Sequence, residues 1–466
     1  MKQNENESHE CAEPIEDETS TNPTSRVLIL GGGFGGIYAA LEFERVLRRR
    51  RDIEVTLVAR NNYFLFTPML HEVAASDLEM NTIVNPLRKL LRRVRTFTGS
   101  IETIDLEKKC VAVSHGFDSH VHELSYDHLV IALGSSTNFF GLPGLEGAAV
   151  TIRTLNDAID LRNRLITHLE EANSECAADE RQPLLTFIVA GAGFAGVETV
   201  GGINDFVREA VRFYPNLKPE LVRTVLISSE EFILPELGQK LGTYAKTKLA
   251  ARGVEIVTKE RVTAVGEGVV ELSNGQQIHA DTLVWAAGNA SNPIIATLPI
   301  PKNEGRIVVD EYMEVKGFRG VWALGDCALI PDGTTGRFHP PTAQHALREG
   351  RCAARNIAAE ILGKTKKPLR FATIGQLAAI GHRTGVANVF GLNFSGFLAW
   401  WLWRTIYLLK LPRFEKKVRV ALDWTLDLFF QGFRSGDSRV EVGFSASEAT
   451  TKVTSPEISE CRVIGR

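Results

Sequence analysis

The sequence predicts an α/β fold made of two repeated strand, glycine-turn and helix units plus a C-terminal amphipathic helical segment, and three observations carry that prediction. The first is Gly31-Gly32-Gly33-Phe34-Gly35-Gly36, which follows the apolar run Arg26-Val27-Leu28-Ile29-Leu30 and precedes Ile37-Tyr38-Ala39-Ala40-Leu41. The second is its return later in the chain, where Phe187-Ile188-Val189-Ala190 leads into Gly191-Ala192-Gly193-Phe194-Ala195-Gly196. The third is a further repeated pair, Asp127-His128-Leu129-Val130-Ile131-Ala132-Leu133-Gly134 against Asp281-Thr282-Leu283-Val284-Trp285-Ala286-Ala287-Gly288. Each half therefore reads as a Rossmann-type dinucleotide-binding domain.

The context of the glycines gives the motif a mechanism. Gly31 makes the tight turn, Gly33 lets backbone approach a pyrophosphate, and Gly36 lets helix pack on strand, with Phe34 and Gly35 opening the helix. Gly191, Gly193, Phe194 and Gly196 repeat these roles. The unpaired N–H groups of each helix N-terminus face the phosphates.

After the first helix, Glu54-Val55-Thr56-Leu57-Val58 reads as a second strand, whose end should offer a carboxylate to a ribose. Ala59 stands there instead, so the adenosine contact falls to Arg60, to Asn61 or to backbone groups. Tyr63–Leu70 is too aromatic for a plain solvent loop and is read either as a core segment or as part of a site. Residues 170–182 form a polar insertion ahead of the second domain's strand. There Val222–Ile227 ends in Ser228-Ser229 followed by Glu230 and Glu231, which favours NADH over NADPH. Gly320-Val321-Trp322-Ala323-Leu324-Gly325-Asp326 then returns the chain to the first domain, with Asp326 placed to hydrogen-bond a flavin's ribityl and pyrophosphate region. The boundaries expected are an acidic tail over 1–25, a first domain over 26–148 and 298–375, a second domain over 149–297, a C-terminal region over 376–433 and a tail over 434–466.

Composition adds exclusions. The 466 residues are 44% apolar and 23% charged, ordinary for a globular chain, and a net charge of −3 gives no bulk case for nucleic-acid binding. The cysteines at 11, 110, 176, 327, 352 and 461 show no C-x-x-C and no zinc-like spacing, so neither a disulfide framework nor a metal site is expected. The acidic first 25 residues have the wrong charge for a secretory or transit segment and read as a disordered tail, as does the Ser/Thr/Glu-rich stretch 434–466.

With the two nucleotide folds, Gly325-Asp326 and Pro340-Pro341-Thr342-Ala343-Gln344-His345-Ala346 on the page, the chain over about 26–433 resembles a type II NADH dehydrogenase, a non-pumping NADH:quinone oxidoreductase. The resemblance implies FAD on the first domain, at Gly31, Gly33, Phe34, Gly35, Gly36, Gly134, Gly325, Asp326 and Ala343, with an adenine contact at Ile101. It implies NADH on the second, at Gly191, Gly193, Phe194, Gly196, Ser228, Ala287 and Gly288. Glu198 matches a glutamate beside nicotinamide and flavin, and serves as proton relay or orienter; its alternative is a helix glutamate near a positive helix end. Gln344 is implied as the hydrogen-bond donor to a quinone, within a pocket that includes His345, Leu347 and Arg348. Gly202 stands where a second glutamate is frequent, and Arg348 where a glutamine is.

A quinone lives in lipid, and Gly396–Leu409 is apolar and aromatic but interrupted by Arg404, short of the roughly 20 residues needed to span. Val418–Phe433 places Leu422, Leu426, Phe429 and Phe430 at helical spacing, with Lys410, Arg413, Lys416, Lys417 and Arg419 between or beside the two stretches. Apolar faces with Trp at the rim and a basic connector describe a peripheral, monotopic anchor over 396–433, here placed on the cytoplasmic face. The alternative is that these helices pack on the body or form a homodimer interface. Two rival functions stay open: a sulfide:quinone oxidoreductase, which would need redox cysteines at Cys327 and Cys352, and a non-catalytic NADH-sensing flavoprotein that docks a partner.

Overall fold

The computed structural model describes residues 24–429 apart from 117–119, 334 and 372. The expected tail over 434–466, Phe430 and all but the last two residues of the N-terminal tail lie outside the described residues. The chain forms two compact units.

The first unit comprises the chain up to Asn62, Leu87–Gly134 and Ser291–Phe371. Its five-stranded sheet is parallel throughout and runs in the order Val321–Ala323, His128–Ile131, Ser25–Leu30, Ile53–Ala59, Arg95–Thr98. Val27, Leu28, Ile29 and Leu30 are all buried, as a continuous apolar run predicts for a central strand covered on both faces. The returning strand Val321–Ala323 pairs with His128–Ile131, so the chain does come back to this sheet after its long excursion. The helices Phe34–Val46 and Ala343–Ile361 pack together because neither backbone carries a side chain at the crossing: a Cβ on Gly350 would fall 2.2 Å from the Gly35 carbonyl oxygen. A three-stranded antiparallel meander, Ser100–Asp105, Cys110–His115 and His120–Ser125, completes the unit.

The second unit holds Tyr63–Pro86, Ser135–Ala290 and the chain from Ala372 on. Its parallel sheet runs Val150–Thr151, Thr282–Trp285, Thr186–Ala190, Arg223–Ser228, Val254–Thr258. The helix Leu155–Ser174 starts at a capping box between Thr154 and Asp157 and carries the chain into the polar stretch, which continues as the helix Ala178–Leu184 with no buried side chain. Tyr63–Leu70 is core: Phe64, Phe66, Met69 and Leu70 are fully buried, and Tyr63–Leu65 pairs with Val84–Pro86. An antiparallel meander, Gly375–Ala379, Gly385–Val389 and Leu392–Gly396, supports the helix Phe397–Lys410, and the helix Phe414–Phe429 follows.

One expectation about the last segment is corrected. Trp400 and Trp403 are not at a rim. Trp403 has 0% exposure and Trp400 is buried, while Trp401 alone of the three points outward, at 51%. At about 100° per residue Trp401 points roughly 160° round the helix from Trp403, so the two rings face nearly opposite ways. Arg404 interrupts the apolar run as expected, and its guanidinium is held between Trp400 and Trp424, 4.2 and 4.6 Å from the ring centroids. Among the described residues no helix is long and apolar enough to cross a membrane.

Candidate active site

Both glycine turns are built alike at the carboxyl ends of their central strands. In the first unit the Gly31 N–H donates to the Val58 carbonyl at 2.8 Å, and in the second the Gly191 N–H donates to that of Ile227 at 2.9 Å. Gly31 and Gly191 take φ of 113° and 110°, a conformation that favours glycine. A Cβ on Gly36 would fall 1.9 Å from the Gly31 oxygen, and one on Gly196 would fall 1.7 Å from the Gly191 oxygen. The helices that follow, Phe34–Val46 and Phe194–Ala210, begin at Gly33 and Gly193 with no side-chain cap and no acid in the first turn.

That geometry fits a pyrophosphate in the first unit, and in the second with the Glu236 carboxylate, 3.7 Å from where a Cβ on Gly193 would be, at its edge. A Cβ on Gly33 would meet nothing within 4 Å, so the backbone is open to an approaching group. The uncapped helix ends then offer N–H donors and a positive dipole end to an anion.

Around the first turn the structure gathers most of the predicted flavin residues. Gly134 follows the strand His128–Ile131 with φ of 66° and open space at its α-carbon. Gly325 follows Val321–Ala323, and its N–H donates to Glu349 Oε2 at 2.9 Å. Asp326 is half-buried, and its carbonyl accepts from Arg306 Nε at 3.1 Å. Ala343 and Gln344 open the helix Ala343–Ile361, and Ala346 of that helix lies 3.7 Å from a Cβ built on Gly325. Arg60 and Asn61 are exposed at the end of Ile53–Ala59, and Ile101 sits half-buried in the meander opposite Val113. Ala59 instead explains the glycine facing it, since a Cβ on Gly32 would fall 2.8 Å from the Ala59 Cβ.

The expected quinone residues divide. Gln344 and Leu347 are half-buried, but His345 is buried, its Nδ1 2.7 Å from Thr342 Oγ1 and its ring packed on His339 and Phe371. Burial lowers its pKa to about 4, so it is a neutral support. Arg348 donates to the Gln344 carbonyl at 2.6 Å and stacks on Phe371 at 3.9 Å, which anchors the first turns of the helix.

In the second unit Ser228 is buried at the end of its strand, and its Oγ accepts from the Glu230 N–H at 3.2 Å. Phe194 is half-buried at the helix start, and Ala287 and Gly288 lie beyond Thr282–Trp285, where a Cβ on Gly288 would fall 2.6 Å from the Asn138 oxygen.

Glu198 lies in the second turn of the helix Phe194–Ala210, turned inward. Its Oε1 accepts from Trp403 Nε1 at 2.9 Å and from the Ala379 N–H at 3.1 Å, while Oε2 lies 3.6 Å from His71 Nδ1. Burial pushes its pKa up to about 8, the two hydrogen bonds oppose the rise, and Glu72 adds to it. Burial also drives His71 down to about 3, so the pair is a protonated or protonatable carboxyl beside a neutral imidazole. Tyr407 packs against Trp403 with the rings tilted by 56°, and has its phenol pKa raised by burial and then by Glu198. A small cavity reaches Glu198 from the side of Glu72, Asp77 and Arg383. Gly202 lines it, and a Cβ there would sit 2.9 Å from that of Ala75, leaving no room for a second glutamate.

Sequence reasoning missed His71, Ala379 and Trp403. The first two carry no local signal, and Trp403 was masked by the apolar run around it.

The comparisons with known proteins agree with this architecture. Residues 25–350 match the pyridine nucleotide-disulphide oxidoreductase family, and residues 374–431 match the NDH2 C-terminal domain. The chain is 30% identical to the type II NADH:quinone oxidoreductase Ndh of Mycobacterium tuberculosis, covering 89% of this chain and 90% of that protein. It is also 30% identical to the demethylphylloquinone reductase NdbB of Synechocystis, covering 87% and 96%. NDH2 of Plasmodium falciparum, solved in complex with NADH, shares the fold with a TM-score of 0.81 at 20% identity, covering 90% of this chain and all of that one. With both glycine turns in place and both matches spanning the chain, this protein belongs to the type II NADH:quinone oxidoreductases, FAD-dependent flavoproteins of the pyridine nucleotide-disulphide oxidoreductase family.

Proposed function

We propose that this chain takes a hydride from NADH held on the Gly191–Gly196 turn, and passes two electrons through FAD held on the Gly31–Gly36 turn to a membrane quinone, without pumping protons. FAD, when bound, supplies the chemistry that joins a two-electron donor to a quinone. The chain's own residues supply position and protons. The uncapped ends of the helices Phe34–Val46 and Phe194–Ala210 bind the two pyrophosphates. Gln344 hydrogen-bonds a quinone carbonyl, with Arg348 holding its turn of helix.

The observation that carries the reading is Glu198: a buried carboxyl with two fixed donors and a pKa of about 8, which holds a proton at neutral pH and can exchange it. NADH is preferred over NADPH, because Glu230 and Glu231 follow Ser228 and oppose an added phosphate.

The protein reaches quinone as a peripheral protein on the cytoplasmic face of the membrane. Phe397, Leu398, Trp401 and Leu409 are exposed on one helix and Phe414, Val418, Leu422 and Leu426 on the next. Lys410, Arg413, Lys416, Lys417 and Arg419 lie between or beside them, and each cation near an anionic leaflet contributes about 1 kcal/mol.

Anaerobic titration of the purified protein with NADH, followed by a soluble quinone, tests both halves. The flavin absorbance should bleach with NADH and return with quinone. Bleaching without reoxidation would leave an NADH-binding flavoprotein in place of an enzyme.

A further inference from the structure

The first unit carries a cationic face that the chemistry above does not use. The helix Phe34–Val46 runs out into Arg48, Arg49, Arg50 and Arg51, and the short helix Leu87–Leu90 with the residues after it adds Arg88, Lys89, Arg92, Arg93 and Arg95. Two features lock these segments side by side. Arg93 donates to the carbonyls of Leu47, Arg48 and Arg50, and Glu44 Oε1 accepts from the N–H groups of Arg92, Arg93 and Val94. The local carboxylates are committed: Glu42 to Arg45 and Arg355, Asp52 to Arg50, Glu54 to Arg95, and Glu44 to the backbone. Arg48, Arg49, Arg51, Arg88, Lys89 and Arg92 stand exposed and make no ion pair among the described residues. A cluster of this kind, in a chain whose net charge is −3, sets up a local positive potential.

The complementary charge sits in the same chain. Residues 5–18 hold Glu5, Glu7, Glu10, Glu13, Glu16, Asp17 and Glu18 and no Lys or Arg. The described chain begins next to the cationic face, because the Thr24 N–H donates to the Asp52 carbonyl at 2.7 Å and Ser25 pairs with Ile53. Five residues separate Glu18 from Thr24, and an extended chain covers roughly 3.3 Å per residue, so the acidic stretch reaches Arg48–Arg51 without strain. A tether that short gives the segment a millimolar effective concentration at the face.

We infer that the acidic segment Glu5–Glu18 docks on the Arg48–Arg51 and Arg88–Arg92 face of its own chain and shields it from other polyanions. The contact is electrostatic and salt-sensitive, since exposed pairs are screened beyond a Debye length of about 8 Å at physiological ionic strength.

The test uses the full-length, FAD-loaded protein and heparin as the probe polyanion. Replacing Glu5, Glu7, Glu10, Glu13, Glu16 and Glu18 with Gln and Asp17 with Asn should tighten heparin binding roughly tenfold at low salt. Adding Arg48→Gln, Arg49→Gln, Arg51→Gln and Arg92→Gln should abolish that gain. Heparin affinity unchanged by neutralising the segment, or a gain that survives the arginine replacements, overturns the inference. Zero-length carbodiimide crosslinking gives a second measure that no binding partner can confuse. At low salt Lys89 should join a carboxylate of residues 5–18 in a product of monomer mass, and the product should vanish at high salt. No such product, or one of dimer mass, also overturns it.

Discussion

The indole N–H of Trp403 meets the carboxyl of Glu198 at 2.9 Å, and both residues are buried. They lie far apart in sequence, on the helix Phe397–Lys410 and the nucleotide-binding helix Phe194–Ala210, so the C-terminal segment helps set the proton affinity of the proposed catalytic carboxyl. Trp403→Phe removes the donor and keeps most of the ring. The Glu198 pKa should then climb above about 8, moving the alkaline limb of the pH–rate profile upward. Losing a buried partner of a carboxyl should also cost about 1–3 kcal/mol. A pH profile that does not move would show that Glu198 does not control it.

Glu198 and His71 bend the pH dependence of stability in opposite directions. Glu198 is raised from 4.5 to about 8, so the native state holds a proton that the unfolded chain has released. Its contribution is full below about 4.5 and is lost as pH rises to about 8. His71 is lowered from 6.5 to about 3, so its contribution is full above about 6.5 and is lost as pH falls toward 3. Glu198→Gln should therefore flatten the decline of stability between pH 5 and 8 and leave the acid limb in place, as read by urea denaturation across that range. An unchanged slope on the alkaline side would assign it to other groups.

The two glycine turns should fail separately. In Gly36→Ala the new methyl meets the Gly31 oxygen, which cannot move without opening the turn, and the protein should purify with little flavin. In Gly196→Ala the same clash falls on Gly191, so the protein should stay yellow while KM for NADH rises roughly tenfold or more. Flavin-to-protein ratios and steady-state kinetics on both variants decide the assignment; flavin loss from Gly196→Ala alone would reverse it.

Cys327 and Cys352 should be dispensable. The Cys327 thiol is fully buried, pushed up to about 11 by desolvation, and has its single S–H within reach of the Leu324 carbonyl at 3.2 Å and the Ile131 carbonyl at 3.5 Å, a donation a serine hydroxyl can take over. Burial also raises Cys352 to about 11, and its thiol donates to the Lys367 carbonyl. Neither is a thiolate poised for sulfur chemistry. Paired serine replacements should keep NADH-driven quinone reduction within a few-fold of the parent, and abolition would reopen the sulfide reading.

The repeat legible in the sequence was the part with strict local rules. Glycines that must take a positive φ or clear a carbonyl leave a pattern, and so do continuous apolar strands, which is why both parallel sheets and the return at Gly320–Asp326 were readable. The surroundings of Glu198 were not. His71 arrives on the Tyr63–Pro86 excursion, whose aromatic composition marks burial but not destination, and the Ala379 N–H leaves no side-chain trace at all. Trp400 and Trp403 misled because composition reports that a helix is apolar and not which way each ring turns. Gly202 departed from expectation for a steric reason, since a Cβ there would meet Ala75, and sterics across a fold are invisible in one dimension.

The exposed apolar surface gives a last prediction. Cutting the chain before Gly396 would also extract Trp403 from the core, so point changes are the cleaner probe. Phe397→Ser, Trp401→Ser and Leu409→Ser together should weaken binding to anionic vesicles at least tenfold with flavin reduction by NADH intact; unaltered sedimentation with lipid would move the docking face elsewhere.

Trp401 and Trp403 are two residues apart on one rigid helix, one facing outward and the other holding the carboxyl. Whatever presses on the outer face therefore presses on the carboxyl's hydrogen bond. On the proposed lipid contact, the amphiphile becomes a kinetic variable in its own right: micelles and bilayers should yield different pH optima from identical polypeptide.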